Sequence, residues 1–506
     1  QLFRIMATMK SAEKAYFKKF GYKQEKQQSA ALALFTLIEK YLRKSVEVDE
    51  QKLSTEFEKK HPKARYTKTK SRLLELLLEA LRAYDKKGNE AEKVYDYLAY
   101  AESLRKRELF YDAWQILQKA EKLAEELELV ELLIYIKSQK YYYEIFTEKY
   151  RADQVHNATL DDLLSDLELL KNRLETDFAA YRILHFQKSI GVPRTPSDFK
   201  LLETIRQHPA FEPDYDCALE SSRLTLAVAL SGIFFSIGDI ASVIRVSENL
   251  LQRFKGSEKL RKRNSAKLLT LFDAFLQAAL LSLNVPLYER HYPKFRDLQT
   301  YGEGDRNLKT GIDLYCRSIY AIVAQRLDLL SELVQAFSEV REMSYIPNYR
   351  RVSLGYYMSF GPFLNDDFST AFEQIQWLKN NQHLGIRYDV EVAMLEMECI
   401  ILLKKEEFEV LEYRVRAFDA FLKKHERKSG VEAVALRYFR RCLEAGTSKA
   451  IEANAPDALA ELEAAIAEDP KAAAALNAFD LRAWLQAQIE GHSFQHCYYR
   501  NNFPAE

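Results

Sequence analysis

The most metal-like arrangement in this 506-residue chain is Asn365-Asp366-x-x-Ser369-x-x-x-Glu373. Amide, hydroxyl and carboxylate oxygens at these intervals lie along one side of a helix and could hold Mg²⁺ against a diphosphate. Such a ligand must be gripped from a second, aspartate-rich helix. The nearest offering, Asp161-Asp162-x-x-x-Asp166, has the wrong spacing and lies far upstream. The motif therefore reads as a polar turn. His492 and His496 stand four apart with Cys497 beside them, a start toward zinc. Gly491 and Ser493 weaken a helix there, and the segment from Ser493 to Glu506 reads as a loose tail. Glu58-x-x-His61 is half of a di-iron pattern that needs a second copy on a facing helix. GxSxG, CxxC and glycine-rich phosphate loops are absent from the sequence. No catalytic, cofactor-binding or metal residue is expected, and the chain reads as a non-enzyme.

Binding chemistry is better represented. Residues 59–72 carry seven positive side chains and no acid, between two short helices. Lys63, Arg65, Lys68 and Lys70 could neutralise phosphates there, with Thr67, Thr69 and Ser71 offering hydroxyls at a helix start. Positive charge at that start opposes the helix dipole, so an anion would help it. A second basic patch, Arg253, Lys255, Lys259, Arg261, Lys262 and Arg263, is interrupted only by Glu258 and reads as a solvated turn. The third candidate is aromatic. Tyr345-Ile346-Pro347-Asn348-Tyr349-Arg350-Arg351 leads into Tyr356, Tyr357, Phe360 and Phe363. Tyr and Arg dominate the energetics of many protein contacts. Tyr349, Arg350, Arg351, Tyr356 and Tyr357 are thus expected to bind a partner, with the two arginines exposed and Phe360 and Phe363 in the core.

Helices must position these groups. The chain has only 15 Gly and 12 Pro, too few for hairpin-rich β architecture. Leu73, Leu74, Leu77, Leu78 and Leu81 trace one helical stripe, and nearly every other segment shows the same period. The fold class is all-α. The 74 basic and 74 acidic residues cancel, so the chain is not a global polycation. The longest uncharged run, Leu224 to Gly238, is 15 residues, short of the roughly 20 that span a bilayer. Five widely separated cysteines suggest buried thiols in a reducing compartment. The expected location is cytoplasmic, with no membrane.

A repeat underlies the pattern. A long apolar helix meets a polar turn, then a bulky residue, then apolar or small residues three, seven and ten positions later. The clearest copies start at Phe110, Phe368 and Phe408; weaker ones start at Ile240, Val285 and Leu327. The later starts, 240, 285, 327, 368 and 408, are spaced 45, 42, 41 and 40 residues apart. Offsets of this kind lie on one helix face, so each copy marks the second helix of a hairpin that must stack on its neighbours to bury both faces. In this the chain resembles the tetratricopeptide-like superfamily, the copies at Phe110-Ala113 and Phe368-Ala371 most closely. Most consensus glycines are missing, and the repeat is near 40 residues rather than the family's ~34. The resemblance implies a right-handed α-solenoid of helical hairpins. Ser11 to Phe20 is similar to the head of an uncharacterised family of bacterial helical-repeat proteins.

Three domains are expected. Residues 1–88 form a small basic helical domain open to a helix-turn-helix reading, with helices over Ser11–Phe20, Ala30–Leu42, Asp49–Lys60 and Thr67–Tyr84. Residues 89–450 carry the repeats. Residues 451–506 form alanine-rich capping helices, divided by Pro456 and Pro470, and a tail. The function expected is a scaffold that binds a protein or peptide without chemistry. The alternative is a nucleic-acid-binding regulator that reads through residues 59–72 and uses the solenoid as a sensor or dimerisation arm.

Overall fold

A computed structural model describes residues 1–24, 29–43, 49–86, 89–144, 155–190, 193, 196–211, 215, 217–254, 257–340, 348–381, 388–425 and 430–503. The break expected at Lys87-Gly88 lies outside them, as do Lys255 and residues 345–347. Among the described residues every regular element is a helix. The chain forms two compact units, one of residues 1–125 with 135–159, the other of residues 126–134 with 160–506.

The chain begins with α1 (Leu2–Thr8), α2 (Ser11–Gln24), α3 (Ala30–Leu42), α4 (Glu50–Lys60) and α5 (Tyr66–Asp85). Asp49 caps α4, its carboxylate accepting from Lys52 N at 3.1 Å. The buried face of α5 is turned from the expected stripe: Leu73, Leu76 and Leu77 bury against Phe17 of α2 and against Leu34, Phe35 and Ile38 of α3, whereas Leu74 and Leu81 are only partly buried and Leu78 is exposed. Next come α6 (Glu90–Arg105), α7 (Phe110–Glu126) and α8 (Val130–Glu144).

Among the described residues seventeen further α-helices follow, with short 3-10 turns at Pro209–Phe211 and Pro470–Asn477. They are α9 (Val155–Ser189), α10 (Pro196–Arg206), α11 (Glu220–Ile237), α12 (Ile240–Arg253), α13 (Glu258–Arg263) and α14 (Ser265–Leu281). Then follow α15 (Val285–Arg296), α16 (Glu303–Val323), α17 (Asp328–Val340), α18 (Asn348–Leu364), α19 (Phe368–Asn381) and α20 (Tyr388–Lys404). Last are α21 (Phe408–Lys424), α22 (Gly430–Ala445), α23 (Ala450–Glu468), α24 (Leu481–Glu490) and α25 (Phe494–Asn502). From α14 onward each helix packs on the next. The even-numbered helices α14, α16, α18, α20 and α22 also pack on one another in succession.

The repeat positions explain this order. Phe110, Ile240, Val285, Phe368 and Phe408 are each the first residue of a helix, and Leu327 immediately precedes α17. The residue three later is buried in every copy: Ala113, Val243, Tyr288, Leu330, Ala371 and Leu411. Two residues before each start the backbone turns left-handed, at Glu108, Gly238, Leu283, Gln325, Asp366 and Glu406. The next amide then donates to a carbonyl five residues back, as Asn284 N does to Ala279 O and Asp367 N to Pro362 O. This is the Schellman helix stop, which glycine normally serves. Only one of these six turns uses glycine. The glycines missing from the sequence pattern are replaced by strained ordinary residues in the same conformation.

Two expectations about the C-terminus are corrected. Pro456 does not divide the alanine-rich stretch but sits exposed within α23, whose next break is at Pro470. The segment after Ser493 is not a free tail. The Ser493 hydroxyl accepts from His496 N at 3.2 Å, capping α25. Phe494, Cys497 and Tyr499 then bury in the same core as α20 and α22. Aromatic residues spaced along one face of that short helix supplied the driving force that its weak periodicity concealed.

Candidate functional site

The basic segment forms the link between α4 and α5. The anion that the start of α5 needs comes from α4: Glu58 Oε1 accepts from Tyr66 N at 3.1 Å. Lys70 is also engaged. Its Nζ lies 2.5 Å from Glu50 Oε1 and 5.3 Å from the centre of the Phe3 ring. That hydrogen bond, with one from Tyr66, holds the Glu50 carboxyl below its ordinary range. Lys63, Arg65 and Lys68 remain exposed, and none has a carboxylate within 4.0 Å among the described residues. His61 stacks on Phe57 at 5.1 Å. Glu58-x-x-His61 is thus spent on capping and packing.

The aromatic segment behaves differently from expectation. Arg350 is not exposed: it retains 6% of its surface, because α16 and α20 both pack on α18. Its guanidinium grips both oxygens of Asp273 on α14 and lies 4.8 Å over the Tyr315 ring of α16. Gln277 donates to the same carboxylate at 2.6 Å. Burial, with the Asp273 charge, pushes the neighbouring Cys316 thiol well up. Tyr356 is buried too, its hydroxyl donating to Ala478 O and its ring stacking on Phe360. Tyr357 is half-buried, edge-on to Tyr315 at 5.4 Å. Arg351 is half-buried, with an Nε that makes no hydrogen bond. The Tyr349 side chain lies outside the described residues. Phe360 and Phe363 are core residues, as expected.

The metal-like motifs resolve into structure. Asp366 holds the left-handed turn before α19, and the Asp367 carboxylate caps that helix through Thr370 N at 3.1 Å. The His492 and His496 rings lie 4.6 Å apart, whereas Cys497 is fully buried. No cluster of three His, Cys, Asp or Glu side chains suited to a metal occurs among the described residues. No described helix is long and apolar enough to cross a membrane. In the second basic patch, Lys259 pairs with Glu126 at 2.9 Å and Arg263 donates to Leu127 O.

Sequence reasoning missed α9. One side of its C-terminal half packs: Ile183 and Phe186 join Leu202 and Ile205 of α10 and Ile233 of α11. The other side is bare along about six turns. Leu160, Leu164, Leu167, Leu174, Phe178 and Tyr181 are between 47% and 70% exposed. Their intervals of 4, 3, 7, 4 and 3 residues are those of a heptad seam, with Lys171 at the one polar position. Asp161, Asp162 and Glu168 flank its beginning, and Arg182 flanks its end. The signal was available in the leucines. A helix apolar on two faces lacks the single stripe that amphipathic reading seeks.

No family model, curated protein or solved structure matches the chain.

Proposed function

We propose that the protein is a non-enzymatic scaffold of tetratricopeptide-like helical repeats, built as a right-handed α-solenoid, that binds a helical segment of a partner protein on α9. What supports the repeat reading is the recurrence of one turn, one helix start and one buried position from hairpin to hairpin. The observation that carries the binding role is the seam of six exposed apolar residues on α9. Contiguous exposed apolar surface of this extent marks an interaction site more often than not. Heptad spacing asks for another helix, whose apolar side chains fill the holes between Leu160 and Tyr181. The acids at the beginning of the seam call for cations on that partner, and they disfavour an anionic membrane surface, which attracts basic helices.

A photo-crosslinking residue at Phe178, with Tyr413 as an exposed control outside the seam, tests this in the producing cells. A protein adduct at Phe178 that maps to an amphipathic helix supports the proposal. An adduct to α9 of a second copy replaces the partner with self-association. No adduct above the Tyr413 background overturns it.

A second reading, nucleic-acid binding through residues 59–72, draws on the exposed and unpaired Lys63, Arg65 and Lys68. Neutralising all three would abolish duplex binding that weakens steeply with salt. Failure to bind generic duplex at low salt removes this reading.

A further inference from the structure

Between α9, α11 and the start of α14 lies a polar cavity of about 190 Å³, some six times a water's share of the liquid. Three cations line it, Arg173, Arg263 and Lys267, against the single carboxylate of Asp177. Two are already held in place. Arg173 pairs with Glu131 at 2.8 Å and approaches Asp177 at 3.7 Å, and Arg263 donates to Leu127 O. Glu128 is committed elsewhere, its carboxylate accepting from the backbone amides of Glu220 and Ser221 at the start of α11. Lys267 makes no ion pair within 4.0 Å among the described residues, and the Asp177 and Glu128 charges reach it only through space. Its Nζ donates to the Thr225 hydroxyl at 2.6 Å, and Thr225 in turn donates to Ser221 O. Desolvation holds the Lys267 ammonium below its ordinary proton affinity. The Ser222 side chain, 1% exposed, also faces this cavity with a hydroxyl that has no hydrogen-bond partner.

A half-buried ammonium whose hydrogen bond goes to a hydroxyl, with Asp177 and Glu128 acting on it through space, stands beside an unused hydroxyl donor and two fixed guanidinium groups, an incomplete arrangement. A tetrahedral oxyanion completes it, accepting from Lys267 and Ser222 and offsetting the excess positive charge. We propose that this cavity binds a small phosphate dianion, either free or as the phosphate group of a compact monoester.

The test is titration calorimetry of the full chain with inorganic phosphate, with glycerol 3-phosphate, and with chloride at matched ionic strength. The expected result is saturable binding of phosphate at one site per chain and none of chloride. Lys267→Met should weaken phosphate binding at least tenfold while unfolding in chloride no lower than the wild type, since it removes a partly desolvated charge that has no ion-pair partner within 4.0 Å among the described residues. Ser222→Ala, which removes only the unused hydroxyl, should weaken binding several-fold without changing the unfolding temperature. Tighter binding of glycerol 3-phosphate assigns the site to a monoester, and equal affinities assign it to free phosphate. A phosphate isotherm matching chloride, or unchanged affinity in both variants, overturns the proposal.

Discussion

Helices α18 and α9 are both dense in large apolar side chains, yet they use them in opposite ways. On α18, Tyr356, Phe360 and Phe363 are 7%, 3% and 0% exposed, and even Arg350 is drawn inward onto Asp273. On α9, Leu174, Phe178 and Tyr181 stand 56%, 59% and 70% exposed. Composition favours α18 as the interface, because Tyr and Arg are the usual anchors of protein contacts. What separates the two helices is neighbours. Packed helices surround α18, so its aromatic residues fill the gaps between them. One side of α9 is left to solvent, and there the same kind of residue becomes a surface.

Substitutions on the two helices should therefore fail differently. The largest effect is expected at Arg350→Ala, which strands the buried Asp273 carboxylate. Urea unfolding should show a loss of ~3–5 kcal/mol, and a loss near zero would mean that Arg350 is not part of the core. Gly355→Ala comes next. A Cβ at that position of α18 would lie 2.5 Å from Leu378 Cδ2, itself fully buried on α19. Overpacking of this kind costs ~1–3 kcal/mol, readable as a lower unfolding midpoint with an unchanged slope. Smaller and opposite in sign is Leu283→Gly, which relieves a left-handed residue at φ 58° in the α14–α15 turn. It should stabilise the chain by ~1 kcal/mol, and destabilisation would show that the Leu283 side chain matters more than its backbone. The smallest stability change is expected for Leu174→Gln with Phe178→Gln on α9, within about 0.5 kcal/mol of the wild type. The same pair should nevertheless abolish the partner adduct formed from a crosslinker at Tyr181.

Much of the architecture was legible in the chain. The period of Phe110, Ile240, Val285, Phe368 and Phe408 located the starts of five helices because the residue three positions into each is buried. The turns were harder to read. Glu108, Leu283, Gln325, Asp366 and Glu406 adopt a conformation that sequence patterns assign to glycine, so the usual punctuation was missing. The binding surface was the least legible. A buried Arg350 and a half-buried Arg351 look alike until the partner carboxylate, 77 residues away in the chain, is placed beside one of them. Likewise, nothing local in Leu160 to Tyr181 says which apolar face the rest of the fold will cover. Lys267 and Ser222 come together only because α11 and α14 pack, and no motif spacing links them.

Hydroxyl-radical footprinting of the full chain compares the two helices within a single sample. Oxidation of Phe178 and Tyr181 should run at least tenfold faster than oxidation of Tyr356 and Phe360, and should fall when the crosslinked partner is added. Equal protection of all four rings in the isolated monomer would contradict the account, because α9 would then already be covered by its own chain.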